Sequence, residues 1–148
     1  MRPLADGAVS VPGVPGWGRL LRYRHSFEVS APLAQVVAFH ARSDSMAAIT
    51  PPGIVVEVHQ APPVLAEGDE MRFTLRLAGL LPIPWVARIS DVGESGFVDT
   101  QMEGPFSLWR HEHRFASSGS GRTRIDDQVQ ARLRRHWLWA PVGLAMWL

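Results

Sequence analysis

The chain has 148 residues, 46% of them hydrophobic and 20% charged, with a formal net charge of +1. That length suits one domain with a substantial core, and the near-neutral charge gives no electrostatic case for a nucleic-acid partner. There is no cysteine, which excludes disulfides, thiol catalysis and cysteine-ligated zinc and fits a reducing compartment, so a cytoplasmic protein is the expectation.

Residues Met1 to Gly18 hold three prolines and four glycines without periodicity. They read as a flexible arm, too broken by Pro and Gly to act as a signal peptide. A single domain is expected over 19–148. It opens with Tyr23, His25, Phe27 and Val29 alternating with Arg22, Arg24, Ser26 and Glu28, the mark of a half-buried strand. Ser30-Ala31-Pro32 fits an N-cap with Pro in the first helical turn, and Leu33, Val36, Val37 and Phe39/His40 follow at helical spacing. A second short helix is expected over Ser43 to Ile49, stopped by Pro51-Pro52-Gly53. Six strand-like runs come next: Ile54 to Gln60, Glu70 to Leu77, Pro84 to Val92, Gly96 to Glu103, Ser107 to Ala116 and Thr123 to Leu133. Their connections are short and turn-rich, which favours antiparallel neighbours. The basic run Arg132, Arg134, Arg135, His136 reads as a solvated strand end. The closing run Trp137 to Leu148 is apolar, 12 residues long and interrupted by Pro141. A membrane span needs about 20 residues, so a helix packed on the sheet is expected instead.

Parity along the strands gives one apolar and one charged face, the pattern of an antiparallel sheet covered on one side. Met71, Phe73, Leu75 and Leu77 oppose Arg72, Thr74 and Arg76; Trp85, Ala87 and Ile89 oppose Arg88 and Ser90. The stretch Phe97 to Phe115, FVDTQMEGPFSLWRHEHRF, stands out because its inward set is polar. Trp109, His111, His113 and Phe115 share a face opposite Arg110, Glu112 and Arg114, and Phe97, Asp99, Gln101 and Glu103 share a face on the preceding strand. Unpaired polar groups in an apolar interior cost about 1–3 kcal/mol each, so these satisfy one another or serve a ligand.

Three local runs resemble the START-like helix-grip superfamily, also called SRPBCC. SFEVSAPLAQVVAFHA is similar to its opening strand and helix, ITPPG to the entry of its second strand, and FVDTQMEGPFSLWRHEHRF with TRIDDQV to a bacterial branch of polyketide cyclase/dehydrase-like and ligand-binding proteins. Some relatives in that branch are fused to sugar-nucleotide-epimerase-like domains and carry a cell-division-inhibitor label. The resemblance covers Arg19 to Leu148. It implies an α+β helix-grip fold: a seven-stranded antiparallel sheet curved around a C-terminal helix, two short helices after the first strand, and an apolar cavity between sheet and helix. The family's last helix is long, whereas the run from Trp137 would span roughly 18 Å if wholly helical. A shortened helix leaves the cavity more open or asks the arm or a second subunit to cover it.

The function expected first is binding of a hydrophobic or amphipathic small molecule of lipid, sterol or polyketide type. Its binding set would be Tyr23, His25, Phe73, Leu75, Trp85, Phe97, Asp99, Gln101, Trp109, His111 and His113. The alternative is a cyclase/dehydrase in which His111, His113, Asp99 or Asp127 acts as acid or base. A third reading is an interaction domain with a vestigial pocket. His111-x-His113, with Asp99 or His25, has a spacing that can chelate a metal, but a cross-strand hydrogen-bond network or a ligand-orienting group uses the same residues. No metal and no cofactor is assigned. No nucleophile elbow, P-loop or dinucleotide fingerprint occurs. The Trp-rich terminal run, apolar all round as a helix, makes a homodimer the expected association.

Overall fold

The computed structural model describes residues 2–5, 19–50 and 52–134. The expected terminal helix, with Trp137, Trp139 and Trp147, lies outside the described residues. All seven expected strands are present. They are β2 (Leu21–Val29), β3 (Ile54–Gln60), β4 (Glu70–Leu77), β5 (Leu81–Gly93), β6 (Gly96–Glu103), β7 (Phe106–Gly119) and β8 (Arg122–Leu133). An eighth, β1 (Arg2–Ala5), corrects the reading of these four residues as part of a flexible arm: they pair antiparallel with β2 from Arg2↔Arg24 to Ala5↔Leu21. The gain is backbone hydrogen bonding along a β2 edge that would otherwise be open.

The strands form one antiparallel sheet in the order β1-β2-β8-β7-β6-β5-β4-β3. Chain neighbours from β3 to β8 are joined by hairpins, and β2 closes on β8 from Leu21↔Ala131 to Val29↔Thr123. The observed β5 starts three residues earlier than its alternation implied, because Pro82 and Pro84 pair with Arg76 and Thr74 of β4. This is permitted since β6 joins β5 only from Val86↔Glu103 onward. Over Leu81–Trp85 the strand therefore has a neighbour on one side, where a missing N–H is tolerated.

Helix α1 (Leu33–Ala41) begins one residue after Pro32, which is itself the N-cap. Its carbonyl accepts from the Gln35 and Val36 amides at 3.0 and 3.1 Å. No side chain caps the helix, which corrects the assignment of that role to Ser30. A 3-10 turn (Ser43–Ser45) leads straight into a one-turn helix, α2 (Met46–Ile49). The loop after β3 is tied to this helical pair: the Leu65 amide donates to the Ala41 carbonyl at 2.8 Å, and the Ser43 amide to that of Pro63 at 3.2 Å.

Two apolar clusters sit on the inner face. The larger joins Met71, Phe73, Ile83, Trp85, Ala87 and Ile89 to Val129, Ala131 and Leu133 across the sheet, and Leu65 is brought into it by the tethered loop. The smaller pins α1 to the sheet through Val36, Phe115 and Ile125. The opposite face is charged as expected. Arg76 pairs with Glu57 and Arg88 with Glu70, both at 2.8 Å, exposed bridges worth about 0–1 kcal/mol each.

Candidate functional site

Sheet register builds the polar centre. His113 faces Asp127 directly across the β7–β8 ladder, and Asp99 faces His111 across β6–β7. Direct and diagonal neighbours on one face lie within reach of side chains of this length, so two imidazoles and two carboxylates meet. His113 Nδ1 is 3.0 Å from Asp127 Oδ1, and its Nε2 is 2.9 Å from Asp99 Oδ2. A carboxylate only accepts, so both ring nitrogens of His113 donate and the ring is an imidazolium. Burial opposes that charge, but the two carboxylates outweigh it and hold the pKa up to about 9. Burial likewise pushes Asp127 upward, yet the hydrogen bonds and charges of His111 and His113 prevail and hold it well below the usual carboxylate range.

Both faces of this cation are covered. Phe97 stacks on one side with centroids 4.4 Å apart, a cation–π arrangement, and His111 lies over it at 3.8 Å. His111 turns its nitrogens to the same two carboxylates at longer range: Nδ1 is 3.6 Å from Asp99 and Nε2 is 3.4 Å from Asp127. The Trp109 indole N–H donates to the second Asp99 oxygen at 3.3 Å. One glycine makes this packing possible. Gly96 has φ +134°, and a Cβ there would stand 1.8 Å from the His113 carbonyl oxygen.

Three members of this Asp99–His111–His113–Asp127 tetrad, Asp99, His111 and His113, border a cavity of about 260 Å³ on the inner face. Of the residues singled out in the sequence, Phe73, Leu75, Trp85, Phe97, Asp99, Trp109, His111 and His113 line it. Trp85 stands at the centre of an aromatic wall, edge-on to Trp109 at 5.2 Å and stacked on Phe73 at 6.0 Å. The other expected members lie elsewhere. Tyr23 packs against the large apolar cluster, and burial raises its phenol to about 12. His25 is exposed and tilted against Phe27. Gln101 clamps the Gly104-Pro105 turn, donating to the Phe106 carbonyl at 2.6 Å and accepting from the Phe106 amide at 3.1 Å. Parity set their direction inward, but the cavity lies under β4–β7, away from β2 and beyond reach of the turn.

The helical pair supplies lining residues that the strand argument did not select, among them His40, Ser45, Met46 and Ile49. His40 Nδ1 lies 2.8 Å from the Val36 carbonyl, and its ring packs 4.6 Å from that of Phe115. Burial lowers its pKa against the opposing pull of that hydrogen bond. A histidine four residues after a valine in a helix was the available signal, but it is shared with any capped or packed helical histidine.

Asp99, His111 and His113 each offer a donor atom within 4.8 Å of the others, the one such group of three among the described residues. The donor chemistry fits a metal poorly. His113 has no free lone pair while it bridges two carboxylates, and a ligating imidazole must offer one. His25 is not part of the group.

No protein-family model and no curated protein matches the sequence. Solved structures do. The Zhui aromatase/cyclase from Streptomyces sp. R1128 is similar with TM-score 0.64 and 21% identity, over 80% of this chain and 71% of that one. A START superfamily protein from Mycobacterium smegmatis gives TM-score 0.60 at 9% identity, over 76% and 77% of the two chains. Norcoclaurine synthase from Thalictrum flavum, in complex with dopamine and hydroxybenzaldehyde, gives TM-score 0.58 at 14% identity over 95% and 83%. The chain therefore has a START-like, SRPBCC-type fold: an antiparallel sheet with two short helices after the first long strand. Among the described residues no helix is long and apolar enough to cross a membrane.

Proposed function

We propose that this protein binds a compact, mainly apolar small molecule in the inner-face cavity, with the Asp99–His111 side of the tetrad meeting its polar group. The observation that carries the reading is the cavity itself: a mainly aromatic and aliphatic pocket with a few polar side chains, among them Asp99 and His111 on the sheet and Ser45 and Thr50 on the helical side, the usual composition of a ligand site. Its volume of about 260 Å³ is slightly below the customary range of roughly 300–1,000 Å³. A one- or two-ring guest fits that space better than a sterol or a long acyl chain. The likeness to a synthase solved with two single-ring aromatic molecules supports the same size class.

A cyclase-type acid–base role is the second reading, favoured by the likeness to an aromatase/cyclase. Its candidates narrow. His113 holds its two protons between carboxylates at 2.9 and 3.0 Å and is a poor base at neutral pH. Any proton transfer falls to His111 or Asp99, which border the cavity.

Native mass spectrometry of freshly purified protein tests the binding reading, with an expected adduct that organic extraction removes. Adding single- and double-ring aromatics should then raise the melting temperature of the extracted protein. No adduct from several expression hosts, together with no thermal shift across such a panel, contradicts it. The enzymatic reading requires turnover that His111→Ala abolishes while leaving the fold intact.

A further inference from the structure

Three imidazoles line the cavity, His40, His111 and His113, and they differ in what they can offer a guest. His113 has both nitrogens committed to Asp127 and Asp99. His111 turns both nitrogens toward those same oxygens at 3.6 and 3.4 Å, so that a carboxylate faces each of them. Its Nε2 is also sealed from solvent. His40 is the exception. Its Nδ1 is 2.8 Å from a backbone carbonyl, which can only accept, so Nδ1 carries the hydrogen. In the neutral ring Nε2 is then the bare nitrogen, and among the described residues it has no hydrogen-bond donor.

The ring's position adds to this. His40 lines both the main cavity and a side chamber of about 30 Å³, along with Leu65, Ile89 and Phe97. It therefore stands on the partition between the two, where the neighbours it shares with both spaces, Leu65, Ile89 and Phe97, offer a guest's hydroxyl no partner; Ser45 and Thr50 line the main cavity farther along the helical side. The neutral state is supported by burial, which lowers the pKa of this histidine.

We infer that His40 is a specificity-determining contact of the cavity, whose Nε2 accepts a hydrogen bond from the hydroxyl of a compact phenol-type guest. This rests on the reading of the cavity as a ligand site and adds the acceptor and the class of donor. The guest's ring would lie among Phe73, Trp85 and Trp109, its O–H would point to α1, and a second polar group on it would meet the Asp99–His111 side of the tetrad.

Calorimetric titration of the full chain with 2-naphthol and with 2-methoxynaphthalene tests it, since the ether keeps the rings and loses the donor. The wild type is expected to bind the naphthol roughly three- to tenfold more tightly, the worth of one net hydrogen bond. His40→Phe should bring that ratio to about one while leaving the ether's affinity within about twofold. Equal binding of the two probes by the wild type overturns the inference and leaves the ligand site standing. Survival of the preference in His40→Phe also overturns it and moves the acceptor to Asp99. Failure of both probes to bind removes the ligand site and the inference together. Should His40→Phe not fold, ¹⁵N spectra of the wild-type ring decide: the Nε2 resonance must shift with 2-naphthol and not with the ether, and an unmoved resonance overturns the assignment.

Discussion

The two walls of the cavity are built by different means. The sheet wall, from β4 to β7, is fixed by cross-strand register, and His113 there is 7% exposed and held by Asp99, Asp127, Phe97 and His111. The helical wall is a nine-residue helix, a 3-10 turn and a single turn of α2, and its Ile49 is 52% exposed. A wall set by register belongs to the global fold. A wall made of short, half-open helices can change shape at small cost, so changes in the first should unfold the protein and changes in the second should alter what it binds.

The largest effect is expected at His113. His113→Ala leaves Asp99 and Asp127 as half-buried carboxylates facing a gap, a loss of about 3–5 kcal/mol by chemical denaturation. A loss below about 1 kcal/mol would mean that the clamp is not structural. Gly96→Ala should cost about 1–3 kcal/mol, because its Cβ would meet the backbone carbonyl of His113. An unchanged midpoint there would show that β6 and β7 can separate freely.

The pH dependence sharpens the same contrast. His113 has a folded pKa of about 9 against an ordinary value near 6.5. Its contribution is full below about pH 6.5 and disappears as pH rises through about 9. Asp127 is depressed, so its contribution is present above the ordinary carboxylate range and is lost as pH falls through its folded value. Stability should therefore be greatest between about pH 4 and 6.5 and decline toward pH 10 by up to roughly 3 kcal/mol. The two shifts describe one interaction and do not add. The measurement is the difference between wild type and His113→Gln in urea midpoints across that range. A flat difference from pH 6 to 10 speaks against an imidazolium at 113.

The smallest effects belong to the helical wall. Ile49→Ala should change stability by less than about 0.5 kcal/mol, as for exposed positions generally, yet weaken a bound aromatic guest severalfold. A large loss of stability with unchanged affinity would reverse the assignment of the two walls.

The sheet wall was legible in the sequence because strand parity has a period of two. His111 and His113 between Trp109 and Phe115, opposite Arg110, Glu112 and Arg114, could face only inward, and Asp99 and Asp127 follow from the hairpins. What parity does not carry is lateral position. Tyr23 and His25 share the inward direction but sit on β2, outside the cavity. Gln101 is drawn to the backbone of its own turn. The helical wall was less legible for another reason. His40, Ser45 and Met46 reach the cavity through the tether of Leu65 to Ala41 and Ser43 to Pro63, long-range backbone bonds that leave no periodic trace. β1 was missed because pairing rescues four residues of low intrinsic strand character.

The most direct test of the central claim is a titration of isotope-labelled protein with 2-naphthol, followed by amide and side-chain chemical shifts. The account predicts saturable shifts at one equivalent, grouped on Ala87, Ile89, Phe97, Trp109 and His111. Non-saturating shifts spread over exposed Val55, Val58 and Leu80, with these cavity residues unmoved, would contradict it.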